Sequence, residues 1–133
     1  MTSNTQPTDT PVAAIPTFLE IGLHPALLQA VIDTGYTIPT PIQAQAVPLA
    51  MAGQDVMGAA QTGTGKTAAF TLPILHRLMA FANSSASPAR HPVRALILTP
   101  TRELADQVAE SVKRYGKLTP LRSTVVFGGV DIN

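Results

Sequence analysis

Cysteine is absent from the 133 residues, which excludes disulfides and thiolate metal sites and fits a reducing compartment. No Lys or Arg precedes Lys66, so neither a secretory signal nor a basic transit peptide fits the N-terminus. Long apolar runs are missing too. The longest apolar region, Ala68 to Ala82, is broken by Pro73, His76 and Arg77 and falls short of a membrane span. A soluble, cytoplasmic protein with no membrane partner is the expectation. Charge of one sign is also lacking: nine Lys and Arg against eight Asp and Glu give a net charge of +1, so no global field announces a polyanionic partner. A local basic site stays open. His24, His76 and His91 are scattered without metal-ligand spacing and read as surface or capping residues. The length suits one modest core and a single domain.

What is present centres on Ala60-Gln61-Thr62-Gly63-Thr64-Gly65-Lys66-Thr67, which follows the apolar pair Val56-Met57 and leads into the helix-like run Ala68 to Leu72. It reads as a phosphate-binding loop. Gly63 and Gly65 permit a tight turn that brings successive N–H groups toward a polyphosphate, and the helix start that follows favours negative charge. Lys66 is placed to reach the β- and γ-phosphates, and Thr67 to give its hydroxyl to Mg²⁺. A nucleoside polyphosphate and Mg²⁺ are therefore expected, with Gln61 to Ala68 as the phosphate-side residues. A glycine turn before an ordinary helix is the plain alternative. The usual pattern has glycine at the first position, where this chain has Ala60.

Residues 1–16 are rich in Thr, Pro, Ser and Asn without an apolar period, as a disordered tail would be. Residues 17–133 form the folded part. Pro25, then Leu27, Leu28, Val31 and Ile32, then Gly35, predict a short amphipathic helix. Thr40-Pro41 opens a second helix through Ala50, which Pro48 is placed to kink. Strands are predicted at about Asp55 to Ala59, Val93 to Leu98 and Ser123 to Phe127; helices at about Lys66 to Phe81 and from a Thr101 cap to Tyr115; and a surface loop at Asn83 to Pro92. The continuous apolar run Val93 to Leu98 suits a parallel sheet covered on both faces. Alternating strands and helices imply an α/β fold with right-handed crossovers.

Three further segments each carry two readings. Gln43 is either a solvated helix residue or an adenine reader, since its amide matches the donor and acceptor on the adenine edge while an aromatic such as Phe18 supplies a stacking face. Arg102, in the first turn of a helix, opposes the macrodipole and needs a partner: either Asp106 one turn on, or a nucleic-acid phosphate held with Thr101. Gly128-Gly129 is either a plain turn or a close approach to a sugar-phosphate backbone.

These segments together resemble the opening of a DEAD-box ATP-dependent RNA helicase. Phe18 with Gly35 to Gln43 is similar to that family's Q motif, Ala60 to Thr67 to its motif I, Pro100 to Ala105 to its motif Ia, and Gly128-Gly129 to its GG motif. The family carries alanine at the first position of motif I, which accounts for Ala60. Val93 to Thr99 and Val125 to Val130 further resemble the bacterial RhlE-like branch, whereas Thr37 and Ile38 depart from the charged residues often found there. The resemblance implies a RecA-like P-loop NTPase domain with a parallel sheet, incomplete here. It implies adenine contacts from Phe18, Tyr36, Pro41 and Gln43; phosphate contacts and catalytic roles for Lys66 and Thr67; and RNA contacts from Pro100, Thr101, Arg102, Gly128 and Gly129. A second RecA-like domain is the implied partner.

A P-loop ATPase also needs a carboxylate at the end of another apolar strand. No two acidic residues are adjacent here, the second predicted strand ends Leu98-Thr99 and the third Phe127-Gly128. The Asp-Glu-Ala-Asp motif is thus expected beyond Asn133, and the chain alone is expected to bind nucleotide weakly without RNA-stimulated hydrolysis. A non-enzymatic module binding nucleotide or RNA, and another P-loop NTPase or kinase, are the alternatives.

Overall fold

The computed structural model describes residues 17–59, 65–87 and 91–128. The expected tail, residues 60–64 of the loop, and Gly129 lie outside the described residues.

Local chemistry sets the helix starts. Thr17 and Glu20 form a reciprocal capping box that opens α1, Phe18–Ile21, and Gly22 closes it in the left-handed region at φ 88°. α2, Pro25–Asp33, starts with proline at its first position and with His24 as its cap, the ring Nδ1 accepting from the Ala26 N–H at 3.1 Å. α3, Pro41–Met51, opens on a second capping box, Thr40 with Gln43, and runs on through Pro48. α4, Lys66–Leu78, gives way to a 3-10 turn, Met79–Phe81, so the regular helix stops three residues before the expected Phe81. Within α4, Pro73 lacks an N–H, and the Thr71 hydroxyl donates to the Thr67 carbonyl at 2.7 Å. α5, Arg102–Tyr115, begins under the Thr101 cap as expected.

The core gathers Leu27 and Val31 of α2, Val47 of α3, Ala68, Leu72 and Leu75 of α4, and Tyr115 of α5, with Phe18 and Leu23 closing one side. The α4 members recur at helical spacing, so one stripe of that helix meets α3 and α2. Each fully buried leucine contributes roughly 1.5–3 kcal/mol by leaving water. Burial also pushes the Tyr115 hydroxyl up from its usual pKa, and Tyr36 nearby adds to the effect. His76 of α4 ties this layer to α2: its Nδ1 accepts from the His24 N–H at 3.0 Å. Burial holds the His76 pKa below the usual 6.5, and the neighbouring His24 lowers it further. At the other end of α2, Lys117 pairs with Asp33 at 3.2 Å.

The three predicted strands require a correction. No strand occurs among the described residues, and the runs that were to be buried stand in solvent: Met57 is fully exposed, Leu98 83% and Val126 78%. A strand satisfies its backbone only through a registered neighbour about 4.8 Å away. Segments 91–97 and 120–126 instead line opposite parts of an open cleft of about 940 Å³ against α4 and α5. The Arg122 guanidinium donates to the Ser85 carbonyl, and the Arg102 guanidinium donates to the Gly128 carbonyl. No helix among the described residues is long and apolar enough to cross a membrane.

Candidate nucleotide and nucleic-acid site

Among the described residues, four of the five α-helices begin under a side-chain cap, and α4 does not. Its N-cap is Gly65 at φ 86°, a conformation costly for residues with a Cβ. A Cβ there would collide with the Gln43 amide nitrogen and lie 3.2 Å from Thr40 Oγ1. Lys66 occupies the first helical position and is exposed, Thr67 is half-buried, and Ala68 is buried beneath them. A helix start shaped without side chains, followed by an exposed ammonium and a hydroxyl, fits a polyphosphate and its Mg²⁺.

Gln43 connects this start to α3. Its Oε1 accepts from the Thr40 N–H at 3.0 Å and its Nε2 donates to the Gly65 carbonyl at 3.1 Å, across 22 residues of sequence. With 6% of its surface exposed, Gln43 is no solvated helix residue. Each amide atom retains one further valence, a second N–H and a second lone pair. Pro41 sits beside it at the first position of α3, and Tyr36 is 52% exposed. From the other side, Ile42 packs against the backbone at Gly58, where a Cβ would come within 3.2 Å.

Phe18 departs from its expected role. Its ring is 2% exposed and belongs to the core, so it offers no open stacking face, while its backbone N–H donates to the Thr37 carbonyl at 3.3 Å. That backbone bond ties the start of α1 to Thr37.

On the second half of the site, Arg102 has a protein partner other than Asp106. Arg102 Nη2 donates to the Gly128 carbonyl at 3.1 Å, and its guanidinium carbon lies 5.9 Å from the Phe127 ring centroid. Asp106 does not pair with it among the described residues. The Thr101 hydroxyl oxygen accepts from the Leu104 N–H at 3.1 Å, which leaves the hydroxyl proton to give. Thr101, Arg102 and Gly128 are thereby brought together, with Pro100 exposed beside them. Sequence reasoning missed Phe127 and the Gly65 carbonyl. Only Thr40 carried a readable signal, the Thr-x-x-Gln spacing of a capping box.

A bare glycine helix start followed by lysine and threonine, locked to a neighbouring helix by a glutamine amide, defines a phosphate-loop nucleotide-binding protein. Residues 40–133 match the model of the DEAD/DEAH box helicase family, and the chain belongs to that family. It is 42% identical over 117 residues to the DEAD-box ATP-dependent RNA helicase RhpA of Helicobacter pylori, covering 88% of this chain and 22% of that protein. It is 48% identical over 124 residues to the ATP-dependent RNA helicase DeaD of Mycobacterium tuberculosis, covering 92% and 21%. Among solved structures, a Saccharomyces cerevisiae Dbp5 variant bound to Gle1 and IP6 superposes with a TM-score of 0.72 at 36% identity, over 91% of this chain and 30% of that one. Prp28 from Chaetomium thermophilum bound to ADP gives 0.69 at 41% identity, over 85% and 27%. The chain thus spans about a fifth of the length of these curated relatives.

Proposed function

We propose that the chain forms the ATP-binding and RNA-contacting part of an ATP-dependent RNA helicase that separates short RNA duplexes together with a second RecA-like domain. The observation that carries this reading is the Gln43 bridge, which ties the adenine-side segment to the Gly65 helix start and still leaves one donor and one acceptor for a base edge. Gln61 to Gly65 and the first-turn N–H groups cradle the phosphates, Lys66 neutralises their charge, Ala68 closes the floor, and Tyr36 and Pro41 flank the base. Thr67 holds Mg²⁺, which when bound supplies charge neutralisation at the phosphate oxygens. Thr101, Arg102, Gly128 and Gly129 hold the RNA by its backbone, which positions a strand without reading its sequence. The ADP bound in the similar Prp28 structure supports an adenine nucleotide. The Val93 to Thr99 and Val125 to Val130 segments favour the bacterial RhlE-like branch, and residence in the cytoplasm is part of the same proposal.

Titration with fluorescent nucleotides tests it. ATP is expected to bind at least about tenfold more tightly than GTP, the worth of one well-placed hydrogen bond to a charged or bidentate partner. Gln43→Ala should bring the ratio toward one, and Lys66→Ala should weaken both nucleotides. Equal affinity for ATP and GTP in the unaltered chain refutes the adenine reading; indifference to Lys66→Ala refutes the phosphate site.

A further inference from the structure

The loop between α4 and segment 91–99 lies at the opposite end of that segment from Arg102, and it collects cations of its own. The Arg94 guanidinium stacks 4.1 Å above the Phe81 ring centroid. The Ser85 carbonyl accepts from Arg122 Nη2 at 3.0 Å and contacts the His91 ring nitrogen, so both side chains converge on one point of the loop. Residues 83–87 of this loop are tied together: Asn83 Oδ1 accepts the Ser85 N–H and Ser85 Oγ the Ser87 N–H. Arg94 and Arg122 are exposed, and Phe81 is 53% exposed.

The sequence keeps carboxylates away from this end. No Asp or Glu occurs from residue 56 to 102 or from 111 to 130, and all nine Lys and Arg fall within those two stretches. Positive charge is therefore concentrated in these two stretches of sequence, although the net charge is only +1.

We infer a second RNA-binding surface formed by Phe81, Arg94 and Arg122, distinct from the one at Thr101 and Gly128. It rests on the proposal that the chain binds RNA. Guanidinium forks fit phosphate oxygens, and a half-open phenyl ring beside a guanidinium is a platform on which any base can stack. An acidic peptide would use the forks but not the ring, which favours nucleic acid. Arg102 follows Arg94 by eight positions, at most about 28 Å of chain, so both surfaces are within reach of one strand.

Anisotropy of a labelled single-stranded RNA, titrated with the 133-residue chain over a salt series, decides the matter. The pair Arg94→Gln and Arg122→Gln is expected to weaken binding about tenfold or more and to reduce the slope of log affinity against log salt by about 1.4, the release expected for two phosphates. Phe81→Leu should weaken binding on the order of tenfold with an unchanged slope. Circular dichroism and ATP affinity report whether each variant folds, and Arg94→Lys with Arg122→Lys, which keeps the charge, should retain the slope if the first pair does not fold. Unchanged affinity and slope in a folded double variant overturn the inference while an effect of Arg102→Ala would still support the first site. Loss here with none at Arg102→Ala supports this surface and contradicts the first. A chain that binds ATP but no RNA, or polyglutamate competing as well as RNA with Phe81→Leu silent, also overturns it.

Discussion

Gly65 is the residue on which both halves of the proposed nucleotide site depend, because its φ of 86° lets the backbone enter α4 while its missing side chain makes room for the Gln43 amide. Alanine at this position meets two penalties. The left-handed conformation costs about 1–2 kcal/mol for a residue with a Cβ, and the added carbon displaces Gln43, breaking the bond to the Gly65 carbonyl. Gly65→Ala is expected to lower the unfolding free energy by about 1–3 kcal/mol and to weaken ATP binding, as urea titration and nucleotide binding would show. Gly128→Ala makes the control: nothing lies within 4 Å of its Cβ position and its carbonyl still accepts from Arg102, so stability should stay within about 0.5 kcal/mol. If the two substitutions behave alike, the steric account of Gly65 is wrong. Gln43 stood out in the sequence by its place between the Thr40-Pro41 helix start and the glycine loop. Its partner did not, because a contact spanning 22 residues is set by how α3 packs on α4 and leaves no local pattern.

Among the elements, helix starts were legible wherever the signal is chemical and local: Pro25, Thr40 and Thr101 each mark the boundary that forms. The capping role expected for the histidines holds for His24, whose Nδ1 caps α2. The link from His24 to His76 was invisible because it joins α2 to α4 through a backbone N–H. It makes the packing of these helices sensitive to acid. Nδ1 of His76 is an acceptor, so protonation there removes the bond, and burial already holds its pKa below 6.5 in the folded state. Between the folded and unfolded values the unfolded chain binds more protons, so stability rises with pH across that window. This contribution is complete above about pH 6.5 and is lost as pH falls below it. Urea midpoints of the unaltered chain and of His76→Asn, whose Oδ1 replaces the acceptor without titrating, should diverge between pH 7.5 and 5.5, the variant losing less stability. Parallel loss in the two would refute the role of His76.

Over the whole molecule, sequence reasoning anticipated the order of the helices, since cap signals and amphipathic periods carry that information. The sheet was not recovered because an apolar run states only what a strand would bury, and pairing requires registered neighbours. Two leucines separate the possibilities. Leu72 is 1% exposed in the core between α3 and α4, and Leu98 is 83% exposed. Leu72→Ala is expected to cost about 2–5 kcal/mol, the sum of lost transfer energy and a cavity. Leu98→Ser should change unfolding by less than about 0.5 kcal/mol and, by shrinking an exposed apolar run, lower concentration-dependent association in sedimentation. A loss at Leu98→Ser comparable to that at Leu72 would mean that the run is buried in solution as a covered strand. The open cleft beside α4 and α5 would then be closed by a formed parallel sheet.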